Sequence, residues 1–145
     1  MAKLKAAVIG CGGRGLCHAE AYTLCPDVEL VAFVETSDQR ARQMAQKYPR
    51  LTAYADYRKM LREVRPDIVA VCTWPESHKR IVVAAARAGV KIINAEKPMA
   101  PTWGEALAMH RECEKAGAVC TYSHQRRFSR DFVKARQLLK DGAIG

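Results

Sequence analysis

The sequence predicts an α/β fold with a doubly wound, mostly parallel sheet and helices on both faces. Short apolar runs alternate with segments of helical periodicity along the chain. The apolar runs are nearly continuous and rich in β-branched residues, which is typical of strands covered on both faces. A glycine-rich segment directly follows the first run. At 145 residues, the chain is long enough to bury the core of one domain.

The first half of the chain supplies four predicted strands and the helices between them. Pro26 and Pro49 end the first two helices, because proline cannot continue an α-helix. Ser37 is expected to cap the second helix at its start. Strands are predicted at 4–9, 28–34, 52–54 and 68–72, and helices at 14–24, 38–48 and 57–64.

The second half continues the alternation with two strands and three helices. Gly89 and Gly117 stand where a helix commonly ends in a left-handed residue. Thr102 and Glu105 have the spacing of a capping box, which predicts a helix start at this point. Strands are predicted at 90–94 and 118–122, and helices at 77–88, 102–116 and 129–140.

The glycine-rich segment at 10–15 has the pattern of a dinucleotide-binding turn. Gly10 allows a tight turn off the strand, and Gly12 lets backbone approach a pyrophosphate. Gly15 lets the following helix pack closely on the strand. The acid expected beyond such a turn is Glu35, which ends the second strand. A carboxylate there accepts hydrogen bonds from ribose hydroxyls and disfavours a 2′-phosphate, although a solvated acid at a strand end is the alternative.

Two further segments follow strands whose carboxyl ends would meet the same edge of the sheet. The segment 72–78 ends the fourth strand, and His78 is either a ligand-lining side chain or an ordinary first-turn helix residue. Glu96 and Lys97 follow the fifth strand, and Pro98 fixes the turn behind them. In most proteins such a Glu-Lys pair is a surface ion pair. Facing a cleft, a lysine can orient a substrate hydroxyl and lower its pKa.

Composition argues against several other classes of protein. The six cysteines form no C-x-x-C, so we expect reduced, buried thiols and no metal site. The net charge is +9, but the basic residues are scattered, so we expect no nucleic-acid binding. Apolar stretches are too short for a membrane span, and no signal-peptide core appears. A cytoplasmic protein is therefore expected.

These pieces together resemble the N-terminal half of the Gfo/Idh/MocA oxidoreductases, the family of glucose–fructose oxidoreductase and inositol dehydrogenase. The resemblance extends over essentially the whole chain, in the family's order and spacing. Its most specific part is the E-K-P segment. The matching pieces are A-V-I-G-C-G-G-R-G at 7–15, Glu35, Y-A-D-Y at 54–57, T-W-P-E-S-H at 73–78, A-G-V-K-I-I-N-A-E-K-P at 88–98 and H-Q-R-R-F at 124–128.

The resemblance implies NAD as cofactor, with NADP possible because Arg40 would offset the charge of Glu35. Lys97 would be the catalytic residue, nearest the chemistry, and His124 would border the cleft. For Arg126 and Arg127, a solvated basic pair is the alternative. The implied cofactor-binding residues are Gly10, Gly12, Gly13, Arg14 and Gly15 along the pyrophosphate, Glu35 at the adenosine ribose, Thr73, Pro75, His78, Gln125 and Arg126 in the cleft, and Glu96 and Lys97 at the nicotinamide end.

The resemblance also implies an organisation and an activity. Residues 1–123 would form a Rossmann-type NAD(P)-binding domain, and residues 124–145 a crossover segment leading to a second, missing substrate domain. That domain normally supplies an Asp and a His as acid and base. His18 and His110 lie within predicted helices and are poor substitutes. The implied activity is hydride transfer from a sugar, polyol or related hydroxyl compound, and this chain alone would be catalytically incomplete.

Alternatives from other classes stay open at this point. The chain could be a stand-alone dinucleotide sensor or a subunit completed by another chain. The family's NAD-dependent glycosidase branch is a further possibility, and S-adenosylmethionine methyltransferases share glycine-rich turns, although Glu35 and E-K-P argue against them. Apolar residues of the final helix predict a homo-oligomer or a partner chain on that surface. These residues are Phe128, Phe132, Ala135, Leu138 and Leu139.

Overall fold

The structure, a computed structural model describing residues 2–144, contains a six-stranded sheet and six α-helices. All paired strands run parallel, in the order β3-β2-β1-β4-β5-β6. The doubly wound fold predicted from the sequence is therefore confirmed. The strands are β1 (Leu4–Ile9), β2 (Val28–Val34), β3 (Thr52–Tyr54), β4 (Ile68–Val71), β5 (Ile92–Ala95) and β6 (Val119–Tyr122).

The helices connect successive strands, and one more follows the sheet. Thr102 Oγ1 accepts a hydrogen bond from the backbone N–H of Glu105 at 3.3 Å, as the capping box predicts. Ser37 occupies the N-cap position of its helix, but its side chain makes no capping bond. The helices are α1 (Gly13–Leu24), α2 (Asp38–Lys47), α3 (Tyr57–Val64), α4 (Pro75–Arg87), α5 (Trp103–Ala116) and α6 (Arg130–Lys140), with a short 3-10 helix at Gln125–Phe128.

Two apolar clusters pack on opposite faces of the sheet. On one face, Val8 and Phe33 pack against Ala19 of α1 and Met44 of α2. On the other, β1 contributes Ala7 and Ile9, which join residues of α3, α4 and α5. Because side chains alternate across a strand, β1 supplies both clusters and is buried along most of its length.

Several boundaries differ from those predicted. Helix α4 begins at Pro75 rather than at 77, because proline is favoured in the first helical turn. Strand β5 runs from Ile92 to Ala95 rather than from 90 to 94, so Glu96 and Lys97 follow it directly. The expectation that every strand is buried on both faces is wrong for β3 and β6, which are edge strands with exposed positions.

Residues 124–144, at the C-terminal end of the described chain, are more exposed to solvent than the sheet. Helix α6 contains no buried residue, and Phe128 is 78% exposed. The expectation of buried thiols is correct for Cys11 and Cys113, whereas Cys17 is exposed and the other three cysteines are partly buried. Among residues 2–144, no helix is both long and apolar enough to cross a membrane.

Candidate functional site

The cleft lies where the strand order reverses, between the carboxyl ends of β1 and β4. Ligands of open α/β sheets bind at this kind of position, because the connections on either side diverge to opposite faces. The cleft has a volume of about 910 Å³. It brings together most of the site residues that the sequence predicts. These are Gly10, Gly12, Gly13, Arg14, Glu35, Thr73, Pro75, Glu96 and Lys97.

The glycine turn has the shape needed to receive a phosphate group. Gly10 has φ +90°, and a Cβ there would lie 2.7 Å from the carbonyl oxygen of Cys72. A Cβ on Gly15 would collide with the carbonyl oxygen of Gly10, so Gly15 packs α1 onto the sheet and does not line the cleft. At Gly12 and Gly13 a Cβ would meet no atom within 4 Å. These two residues form an open cradle at the start of α1.

The start of α1 is open to an anion. Gly12 is its N-cap and supplies no side-chain capping bond. The first N–H groups of a helix lack intrahelical partners, and its N-terminus carries a partial positive charge. A pyrophosphate would occupy the space beside Gly12 and Gly13 and accept hydrogen bonds from these N–H groups. The residues present therefore fit a dinucleotide.

Glu35, directly after β2, is buried beside this turn. Both oxygens of its carboxylate already accept hydrogen bonds. Its Oε2 accepts from Cys11 N at 2.8 Å and from Arg40 Nε at 3.1 Å. Its Oε1 accepts from Thr36 N at 2.9 Å, Ser37 N at 2.8 Å and Arg40 Nη2 at 3.0 Å. Glu35 therefore links the turns after β1 and β2.

The charge of Glu35 is stabilised by these donors. Burial alone would raise the pKa of its carboxyl group, but the hydrogen bonds from Arg40, Ser37 and Cys11 outweigh burial and lower the pKa to about 2. A ribose hydroxyl would reach this carboxylate only by replacing one of its present donors. Arg40, whose side chain is half exposed, is the donor that can leave.

A second buried carboxylate, Glu96, lies at the other end of the cleft. Its Oε1 accepts from Arg14 Nε at 2.9 Å and lies 3.1 Å from His18 Nε2. Burial raises the pKa of Glu96, but the hydrogen bonds from His18 and Arg14 outweigh burial, so that the pKa stays below its usual range. Ser123 Oγ lies 3.4 Å from His18 Nε2. The neighbouring Lys97 is exposed on the cleft surface.

The structure places His78 differently from the position that the resemblance implied. Its ring is completely buried under the cleft wall and does not line the cleft. Nδ1 lies 3.1 Å from the carbonyl oxygen of Met99, and Nε2 lies 3.0 Å from that of Thr73. His78 therefore joins the loop after β4 to the segment after β5, because it stands on the inward face of α4.

The residues after β6 also lie outside the cleft lining. Gln125 and Arg126 are in the 3-10 helix, and both are exposed together with His124. None of the three lines the cleft in the described chain. A contact between them and a cofactor remains a prediction.

Sequence reasoning missed the cluster around Glu96. His18 has the sequence context of an ordinary helix residue, yet its ring lies beside a carboxylate 78 residues further along the chain. Ser123 donates to Asn94 Oδ1 at 2.8 Å and completes the same cluster. No local spacing connects residues of α1 with residues at the ends of β5 and β6. Only the strand order brings them together.

Comparisons with known proteins agree with this geometry. Residues 4–124 match the family model GFO_IDH_MocA, described as an oxidoreductase family with an NAD-binding Rossmann fold. Myo-inositol 2-dehydrogenase of Thermotoga maritima is 31% identical over 142 residues. D-glucoside 3-dehydrogenase of Escherichia coli is 33% identical over 143 residues. Each alignment covers 98% of this chain.

Solved structures show the same domain. An oxidoreductase from Agrobacterium radiobacter, crystallised with NAD⁺, L-tartaric acid and magnesium, superposes with a TM-score of 0.90 at 26% identity. The alignment covers 99% of this chain and 42% of that structure. The chain likewise spans 42% and 40% of the two dehydrogenases. The chain therefore belongs to the Gfo/Idh/MocA oxidoreductase family and represents its NAD-binding Rossmann domain.

Proposed function

We propose that the cleft is the cofactor site of a dehydrogenase acting on a hydroxyl group of a sugar, polyol or related compound. The observation that carries the proposal is the open cradle at Gly12 and Gly13, set at the start of α1 and at the reversal of strand order. Bound NAD would supply the hydride acceptor. The protein would position the cofactor and the substrate and supply the charged groups around them.

The two ends of the cleft have different tasks in this proposal. Gly12, Gly13 and Arg14 hold the pyrophosphate through backbone N–H groups. Glu35 accepts the adenosine ribose hydroxyls after Arg40 has moved aside. Thr73 and Pro75 also line the cleft. They would contact the cofactor between its pyrophosphate and its adenosine ribose.

Lys97 is proposed as the catalytic residue of the nicotinamide end. It follows β5, on the same sheet edge as the glycine turn, and it is exposed to the cleft. An ammonium group there would donate a hydrogen bond to the substrate hydroxyl and favour loss of its proton. The remaining acid and base would come from outside residues 1–123.

The substrate class is proposed from the relatives. The similar proteins named above act on inositol and a glucoside, and D-apiose dehydrogenase of Paraburkholderia graminis is 34% identical over 143 residues. We propose that residues 124–145 connect the cofactor domain to a substrate domain. A cytoplasmic location is proposed because all six cysteines are free.

Calorimetric titration with NAD and NADP tests the proposed cofactor site. We expect NAD to bind more tightly than NADP, because Glu35 disfavours a 2′-phosphate. The preference is expected to be about tenfold or less, because Arg40 compensates part of that charge. Absence of binding by both cofactors would contradict the site, and a strong preference for NADP would contradict the assignment of Glu35.

A second proposal concerns α6 and the preceding 3-10 helix, which contains Phe128, as a protein-contact surface. Phe128, Phe132 and Leu139 are 78%, 53% and 55% exposed, and such apolar surface favours association. Sedimentation at several concentrations should show a mass that rises with concentration. Phe132→Glu should reduce the association, whereas Lys134→Glu on the opposite side of the helix should not. A monomer at every concentration would argue against this surface.

A further inference from the structure

Arg14 stands on the phosphate cradle, but its side chain is directed to a carboxylate. Its Nε donates to Glu96 Oε1 at 2.9 Å across 82 residues of sequence. The Arg14 side chain is 42% exposed, whereas that of Glu96 is 6% exposed. The arginine is therefore the solvent-accessible partner of this ion pair, and the carboxylate is the buried one.

The position of Arg14 makes it a contact for phosphate as well as for Glu96. Both residues line the cleft, and Arg14 is in the first turn of α1, beside the open space at Gly12 and Gly13. A guanidinium group binds phosphate oxygens with two parallel N–H donors, which a single Nε bond to Glu96 does not exploit. The carboxylate and a pyrophosphate would therefore compete for the same side chain.

Glu96 can lose its hydrogen bond from Arg14 and still keep a second partner. Its Oε1 lies 3.1 Å from His18 Nε2, and His18 is only 17% exposed. A buried carboxylate deprived of every donor is strongly destabilising. His18 removes that obstacle, because it remains beside Glu96 when the arginine leaves.

We propose that Glu96 is a positioning residue that holds Arg14 away from the phosphate cradle in the free domain. When a dinucleotide is present, Arg14 exchanges Glu96 for a phosphate oxygen, and Glu96 stays with His18. Since Glu96 immediately precedes Lys97, the exchange links the phosphate turn to the segment that carries the catalytic lysine. This inference rests on the proposed cofactor site.

A double-mutant cycle on NAD affinity tests the exchange. Glu96→Gln should tighten NAD binding by roughly fivefold, the factor that corresponds to a partly exposed ion pair. Arg14→Leu should weaken binding, and Glu96→Gln should have no effect in that background. Loss of negative charge alone would tighten binding in both backgrounds, so the cycle separates competition for Arg14 from general electrostatics.

The matched control is a similar ion pair outside the cleft. Arg87 Nε donates to Glu112 Oε2 at 2.7 Å, between α4 and α5. Glu112→Gln should leave NAD affinity unchanged. An unchanged or weaker affinity in Glu96→Gln, with NAD bound normally by the unaltered chain, would overturn the exchange. Failure of the unaltered chain to bind NAD would overturn the proposed function itself.

A second measurement avoids any variant of Glu96. The ¹⁵N resonance of Arg14 Nε, assigned by its absence in Arg14→Lys, should shift on addition of NAD. The Arg87 Nε resonance should stay in place. An Arg14 resonance that does not respond at saturating NAD would contradict the exchange, whatever the affinities show.

Discussion

Gly12→Val is expected to weaken NAD binding by about a hundredfold. The valine side chain would fill the open space at the start of α1, because a Cβ at this position would have no protein atom within 4 Å. Overpacking of a close contact costs about 1–3 kcal/mol, and the upper end corresponds to about a hundredfold in affinity. The backbone accepts the change, because Gly12 has φ −68° and an extended ψ of −173°.

Calorimetric titration of the variant measures the effect, and thermal unfolding checks the fold. Valine is a poorer N-cap than glycine, so a loss of stability of about 1 kcal/mol is expected. Gly104→Val is the matched control, because a Cβ there also meets no atom within 4 Å and Gly104 lies in the first turn of α5. Unchanged NAD affinity in Gly12→Val would show that the pyrophosphate lies elsewhere.

Lys97→Ala is expected to lower the turnover of a longer, active form of the protein by about a hundred- to ten-thousandfold. This is the range for loss of a group that assists proton transfer. NAD affinity should stay nearly unchanged, because the pyrophosphate and the adenosine ribose are proposed to bind at the glycine turn and at Glu35, and not at Lys97. Steady-state kinetics with polyol substrates and parallel NAD titration separate the two effects.

The control for Lys97 is a lysine with no access to the cleft. Lys115 is exposed near the end of α5 and does not line the cleft. Lys115→Ala should keep full turnover. If Lys97→Ala also keeps its turnover, Lys97 has no part in the proton transfer, and the hydroxyl of the substrate must be oriented by another residue.

Local sequence is sufficient for the fold because each strand and helix carries its own signals. Periodicity, proline and glycine positions place all the strands within a few residues. The predicted strand at 90–94 begins two residues before β5, because Val90 is apolar although its N–H donates to the carbonyl oxygen of Ala85 in α4 at 3.1 Å. Similarly, Pro75 has the sequence context of a loop residue, although proline is also compatible with a first helical turn.

The site is predictable only where it is built from one segment. The turn at 10–15 and the position of Glu35 follow from a linear motif. By contrast, the two buried carboxylates of the cleft are each held by donors from distant elements, such as Cys11 N for Glu35 and Arg14 for Glu96. The orientation of the His78 side chain cannot be predicted from the sequence. A shift of one residue along a helix is enough to turn a side chain from the core towards the cleft.

The hydrogen bonds of Glu35 limit how coenzyme preference can be redesigned. Exchange of this residue for a neutral one would remove an acceptor shared by the N–H groups of Cys11, Thr36 and Ser37. An engineer who wants a domain that favours the phosphorylated coenzyme should therefore keep the acid and diversify exposed neighbours that make no bond to the turn. In this chain the acid is part of the scaffold as well as of the proposed coenzyme site.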